Sequence, residues 1–264
     1  MFAANGFRCR AKLILALVAS GLTYSNVSAS DLLLTDGKAF PGQLWQTRDG
    51  QPERSIFRQQ PIANRAYPNA AMKLGQVAVG PDRKIYFASG LDGYVLHLLN
   101  GTNEVVSFEF AGQVRDLDTG GEEHTVYFSV VPTPQNGEPL ADGKIYRRDL
   151  WAGQPSEFAT VGQSRIGGNW WGTFAIQNGT VYLATFESPS RIFKLTTAGP
   201  EQVFAANRFK IQGLTSAADG NFYFVDGSAN VYRTSDFENI ETVFRGGRPF
   251  TDLAVEETAA TTRP

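Results

Sequence analysis

Few side chains in this sequence are suited to covalent or acid–base chemistry. The 264 residues hold two histidines, His97 and His124, and one cysteine, Cys9. A Ser-His-Asp triad or a histidine acid–base pair needs its imidazole beside the reacting atoms. His97 lies inside an apolar run that reads as a strand, and His124 lies in a short turn between two such runs. Neither is placed for that work, and no G-x-S-x-G elbow or phosphate-cradling glycine loop accompanies them. Cys9 precedes an apolar stretch at the N-terminus, so no cysteine remains for disulfides, thiolate catalysis or thiolate zinc ligation once that segment is removed. The catalytic residues, if any, stay unknown at this level.

What remains is a set of basic and aromatic residues just ahead of short apolar runs. Arg115, Arg165, Asn169, Trp170 and Arg208 are the candidate ligand-binding residues. A guanidinium can grip a carboxylate with two hydrogen bonds, and an indole can lie against a sugar ring. Such a group suits a small polar or anionic ligand, for example a sugar acid or an acidic glycan end. Asp116 and Asp252 are the only acids at the same entries. The competing reading leaves the arginines solvated and uses aromatics such as Trp171 and Phe250 as packing.

These residues are positioned by a repeat. Runs of Val, Phe and Tyr bounded by Asp, Gly and Ser read as strands of an antiparallel meander, as in IQGLTSAADGNFYFVDGSANVYRTSDFENIETVF from Ile211. The FYF-type second strand recurs as DLLLTDG at Asp31, KIYFASG at Lys84, TVYFSVV at Thr125, TVYLATF at Thr180 and NFYFVDG at Asn221. Tyr86, Tyr127, Tyr182 and Tyr223 are 41, 55 and 41 residues apart, which is the spacing of propeller blades. The expected fold is all-β: a five-bladed β-propeller of four-stranded antiparallel blades. The first unit lacks a first strand, and residues 250–255 (FTDLAV) supply a first-strand pattern with nothing after it. The C-terminal strand should therefore pair in the N-terminal blade and close the ring, leaving no open edge. Asn100-Gly101 and Asn178-Gly179 match a glycosylation acceptor pattern, but each falls at a hairpin tip, where Asn-Gly favours a type I′ turn.

Arg8, Arg10 and Lys12, an apolar run over residues 13–22 and the small-residue exit Val27-Ser28-Ala29 form the pattern of a cleavable signal peptide. The expected organisation is a signal over 1–29, a propeller over 30–257 and a disordered tail over 258–264, with cleavage near Ala29-Ser30 and a secreted or periplasmic location. No stretch approaches the roughly 20 apolar residues of a spanning helix, so the protein is not expected to cross a membrane. The leader carries three of the 24 basic residues, leaving 21 against 26 acidic. This mild acidity argues against nucleic acid as a partner. A monomer is expected.

The units QVAVGPDRKIYFASGLDGYVLHL and GLTSAADGNFYFVDGSANVYRT resemble blades of the NHL and senescence-marker-protein/gluconolactonase-like propellers, over about residues 31–256. That resemblance implies the fold. In its lactonase-type members it also implies a divalent metal such as calcium or zinc, held over the channel by a Glu, two Asn and an Asp. Carried over, it points to Asn169, Asp226 and Asp252, with Gln212 where an Asn would precede Gly-Leu and Thr251-Asp252 where a Glu would stand. Two functions follow: a binding module without a cofactor, or a metal-dependent lactonase or hydrolase in which the cation polarises a carbonyl and activates water.

Overall fold

A computed structural model describes residues 31–36, 43–47, 54–58, 74–89, 95–100, 103–109, 113–131, 143–149, 154–161, 171–207 and 209–256. The signal expected over 1–29 and the tail expected over 258–264 lie outside them. Among the described residues there are strands and no helix, so none that could cross a membrane.

The short runs separated by turn residues fold as meanders because each strand finds its partner across the next hairpin. One four-stranded antiparallel sheet holds β1 (Asp31–Asp36), β2 (Gln43–Thr47) and β3 (Arg54–Arg58). The second runs from β4 (Leu74–Val79) through β5 (Ile85–Ser89) and β6 (Val95–Asn100) to β7 (Asn103–Glu109). The third comprises β8 (Gln113–Asp118), β9 (Thr125–Val131), β10 (Gly143–Asp149) and β11 (Ser156–Val161). The fourth comprises β12 (Trp171–Gln177), β13 (Thr180–Thr185), β14 (Arg191–Thr196) and β15 (Gly199–Ala205). The fifth comprises β16 (Ile211–Ser216), β17 (Phe222–Asp226), β18 (Asn230–Thr234) and β19 (Glu241–Arg245). The last strand, β20 (Asp252–Glu256), returns to the first sheet and pairs antiparallel with β1, Leu32 opposite Val255 and Leu34 opposite Leu253. That pairing is the one the orphan first-strand pattern leads one to expect.

The sheets stand as the blades of a β-propeller. Their first strands, β20, β4, β8, β12 and β16, neighbour one another in that cyclic order. Apolar side chains fill the gaps between sheets: Leu33, Leu44, Val77 and Phe87 between the first and second, Val114, Phe128, Ala78 and Tyr86 between the second and third. Tyr127, Ile145, Phe174 and Leu183 join the third to the fourth, Ala184, Ile192, Leu214 and Phe224 the fourth to the fifth. Val225, Val231, Leu34 and Leu253 join the fifth back to the first. Burial declines outward, so that β12 is almost wholly buried while β15 alternates between half-buried and exposed. The outer strands are correspondingly charged, with pairs such as Lys144–Glu157 (2.6 Å) and Arg233–Glu241 (2.5 Å). At the Asn178-Gly179 tip both residues have positive φ, 51° and 73°, as the type I′ reading requires. Gly101 of the other Asn-Gly pair lies outside the described residues.

Candidate functional site

At the entry to each of four first strands the ladder slips by one residue. The register jumps between Leu74 and Gln76, Val114 and Asp116, Trp171 and Thr173, and Ile211 and Gly213. The residue left over in each case is Gly75, Arg115, Gly172 or Gln212. A bulge of this kind bends the strand and re-aims the side chains beside it. Arg115 stands exposed on its bulge, and the next residue, Asp116, is 2% exposed.

The residues after the bulges build a belt from sheet to sheet. Thr173 Oγ1 and the Phe174 N–H donate to Asp116 Oδ2 at 2.7 and 2.6 Å. The Leu214 N–H in turn donates to Thr173 Oγ1 at 2.9 Å, and the Val77 N–H donates to Asp252 Oδ2 at 2.8 Å. Two residues further along β8, Asp118 accepts the N–H groups of Gly120 (2.7 Å) and Ile176 (3.0 Å). Thr119 Oγ1 donates to Val79 O at 2.9 Å and Ser216 Oγ to Ile176 O at 2.7 Å, so both ends of the first strands are tied to their neighbours.

These carboxyls are sealed from solvent, and burial dominates their titration. It pushes Asp116 up to about 8, against the opposing hydrogen bonds from Thr173 and Phe174. It pushes Asp118 up to about 7 and raises Asp252 well above the usual carboxylate range, with the nearby Asp116 charge adding to the burial cost. A carboxylate out of water and beside another carboxylate favours its neutral form. The two acids at the strand entries therefore serve the ring, leaving Arg115 as the outward-facing charge.

At Gly213 the belt has no side chain because there is no room for one. A Cβ there would lie 2.2 Å from Asp252 Oδ1 and 2.8 Å from the Asp252 Cα, which cannot move without the strand. We expect Gly213→Ala to cost about 1–3 kcal/mol, as overpacking does, read as a lower midpoint in urea with the slope unchanged. A wild-type midpoint would mean that β16 and β20 are not in this close contact.

The remaining expected site residues fall in different places. Arg165, Asn169, Trp170 and Arg208 lie outside the described residues. Trp171 is 3% exposed, packed so that a Cβ on Gly143 would lie 2.6 Å from its ring, and Phe250 is 2% exposed. Both are core residues, as the packing reading has it. His97 is in β6, a third strand. His124 has a left-handed backbone, φ 57°, in the turn between β8 and β9, with Nδ1 3.6 Å from Asp82 Oδ2.

Asp226 is held by its own hairpin. The N–H groups of Ser228 (2.8 Å) and Asn230 (2.9 Å) donate to Oδ1, and Asn230 Nδ2 (3.0 Å) and Tyr232 Oη (2.9 Å) donate to Oδ2. Four donors fill the lone-pair sites of a carboxylate. Asp252, the other described metal candidate, is buried in the belt and accepts the Val77 N–H. No group of three or more His, Cys, Asp or Glu among the described residues is arranged to hold a metal ion. With Asp226 filled by its own hairpin and Asp252 closed inside the belt, neither is presented to a divalent cation, and no catalytic step is derived through one.

Two further residues escape a sequence reading. Asp118 has a signal, since its two-residue spacing from Asp116 puts both on one face of β8. Phe186 has another: it is a large aromatic in the polar loop after β13, where the corresponding loops carry Ser-Gly and Asp-Gly. It is 51% exposed, and Lys210 Nζ lies 3.2 Å from its ring centroid.

No protein-family model and no curated protein sequence matches the chain. Among solved structures it is similar to a calcium-binding protein, regucalcin, from Agrobacterium tumefaciens, with 13% identity, TM-score 0.47, and 86% of this chain and 78% of that one covered. A β-propeller domain from Myceliophteria thermophila aligns with 9% identity, TM-score 0.43, and coverage of 84% and 70%. The PQQ-bound form of an aldose sugar dehydrogenase from Streptomyces coelicolor aligns with 14% identity and TM-score 0.39 over 66% of this chain, which spans 61% of that enzyme's length. At these identities and TM-scores the likeness says nothing of this chain's function.

Proposed function

We propose that the chain is a secreted or periplasmic five-bladed β-propeller over residues 30–257, acting as a monomeric, non-catalytic module that binds a small polar or anionic ligand, such as a sugar acid or an acidic glycan end, over its channel mouth. The observation that carries this reading is the separation of charge at the strand entries. Arg115 is exposed on its bulge, whereas Asp116 and Asp252 are buried in the belt and biased toward their neutral forms. A cation beside neutral acids offers an anion a partner without a competing carboxylate. Arg165, Asn169, Trp170 and Arg208, on the loops leading to the same entries, are assigned to the same ligand from the sequence. The leader pattern over 1–29 supports export, and N-terminal sequencing of secreted protein should begin near Ser30.

The test is calorimetry with uronic acids, sulfated glycans and neutral glycans at two salt concentrations. Anionic compounds should bind more tightly than their neutral counterparts and lose affinity at higher salt, because exposed charges are screened. Arg115→Ala removes a charge-assisted contact of about 1.5–3 kcal/mol, roughly a 10- to 100-fold loss, and Trp170→Ala should weaken glycans of either charge. Equal binding of neutral and anionic compounds, or parental binding by both variants, would overturn the assignment.

A further inference from the structure

Phe186 and Lys210 meet on the mouth face where the fourth and fifth sheets adjoin. Phe186 follows β13 directly, and Lys210 precedes β16. Their backbones are stapled through Ser190, which is fully buried. The Ser190 N–H donates to Phe209 O (3.1 Å), its hydroxyl is within reach of Thr185 O (2.9 Å) and Glu187 O (2.8 Å), and the Ile211 N–H donates to Ser190 Oγ (2.9 Å). From the other side the Gly227 N–H donates to Lys210 O at 3.3 Å. The pair is thus held in place before any ligand arrives.

Gly172, the left-over residue of the β12 bulge, makes room for the ring. A Cβ at this position would lie 2.6 Å from Phe186 Cδ2, so any larger residue would lift the phenyl group away. The ring nevertheless remains half exposed, the most exposed large apolar side chain among the described residues. Lys210 makes no ion pair among the described residues, and burial alone lowers its pKa. The acid at hand, Glu187, is taken by Arg191 Nε at 2.6 Å. An ammonium group resting on an aromatic face is attracted by the ring quadrupole but not neutralised. It therefore keeps a full charge to offer, next to an apolar surface left open to solvent.

We propose that Phe186 and Lys210 form a carboxylate subsite at the channel mouth, where Lys210 pairs with the carboxylate of a sugar acid while the carbon skeleton of its ring lies against Phe186. This rests on the reading of the mouth as an anion-binding site and adds its specificity: a ligand needs a carboxylate and an apolar ring face on adjacent atoms. A rigid cation beside an aromatic surface prefers such a ligand over free inorganic anions, which have no skeleton to bury, and over neutral sugars, which have no charge.

D-glucuronate is the probe, with D-glucose as its neutral counterpart and inorganic sulfate as the bare anion. We expect Lys210→Met to weaken glucuronate at least tenfold without altering the small affinity for glucose, and Phe186→Leu, like Gly172→Ala, which displaces the ring, to weaken glucuronate at least tenfold. Lysines carrying ¹³C-methyl labels supply a second readout: the Lys210 resonance, assigned by its absence in Lys210→Met, should shift with glucuronate and not with glucose. Glucuronate binding within twofold of the parent in both Lys210→Met and Phe186→Leu overturns the subsite, while a loss confined to Arg115→Ala then leaves the mouth reading standing. Equal loss of glucuronate and glucose in Lys210→Met, or sulfate binding to the parent as tightly as glucuronate, also overturns it. A parent protein that binds glucuronate no better than glucose overturns both.

Discussion

A chain ending at Pro249 is expected to lose its cooperative melt, whereas one ending at Glu257 keeps it. The cut removes β20 and with it Phe250, Leu253 and Val255, which are 2%, 1% and 8% exposed. Burying side chains of this kind contributes about 1.5–3 kcal/mol each, together on the order of 5–9 kcal/mol. A domain has only about 5–15 kcal/mol to lose. The cut also takes away the acceptor of the Val77 N–H, Asp252 Oδ2, and unpairs the whole inner side of β1. That strand is buried at every position and carries Leu32, Leu33 and Leu34 in succession, so its bare edge is a template for aggregation. Differential scanning calorimetry should show a broad, weak transition and light scattering should show growth with time. A synthetic peptide of residues 248–257 added in trans should restore a sharp transition. An unchanged melting profile in the shortened chain would contradict the pairing of β1 with β20.

That closure was legible because it is a matter of counting. Every FYF-type second strand except the first has an apolar run ahead of it, and residues 250–255 are an apolar run with no second strand behind them. The same counting placed His97 in a third strand and His124 in a turn. Asn178-Gly179 was legible for a different reason, because few residue pairs accept two successive positive φ angles.

The belt was not legible, and the reason is physical. Asp116 and Asp252 stand at strand entries, where acids in a loop-facing position read as part of the mouth. Their partners are N–H groups of Phe174 and Val77 in neighbouring sheets, and nothing in a strand's own pattern shows which neighbour presents an unpaired donor. The bulges create this: each inserts one residue, so that Arg115 and Asp116, adjacent in sequence, part into an exposed and a buried site. Asp226 shows the reverse. Its Asp-Gly turn is plain in the sequence, whereas the four donors that its own hairpin turns onto the carboxylate are set by the backbone of the turn and by Asn230 and Tyr232. Asn169, Trp170, Arg165 and Arg208 lie outside the described residues, so the part of the mouth they were assigned is carried by sequence alone.

Stability is expected to fall as pH rises from 5 to 9, opposite to a protein held together by ion pairs. The unfolded chain releases an aspartate proton near pH 3.9, while the folded ring retains protons on Asp118 up to about 7 and on Asp116 up to about 8. Between those values the folded state binds more protons than the unfolded one, so raising the pH favours unfolding. The stabilisation is complete below the unfolded value and is lost as pH passes through the folded ones. Glu122 and Asp82, held below their ordinary range despite burial by hydrogen bonds and charges from Tyr127 and Arg147 and from Lys84, act in the opposite sense and set the lower limit, since their contribution is lost as pH falls. The maximum should therefore lie in the mildly acidic range. One pKa unit is about 1.4 kcal/mol and 1 kcal/mol moves the Tm of a chain this size by roughly 2–4 °C, so a drop on the order of 10 °C between pH 5 and pH 9 is expected. Histidines as a class titrate in the same window, so the melts are run with His97 and His124 replaced by glutamine. Against that background Asp118→Asn, which keeps an acceptor oxygen but cannot ionise, should flatten the profile from pH 5 up to about 7, and Asp116→Asn from pH 5 up to about 8. A Tm that stays level or rises from pH 5 to pH 9 would mean that the three aspartates of the ring are ionised in the folded protein.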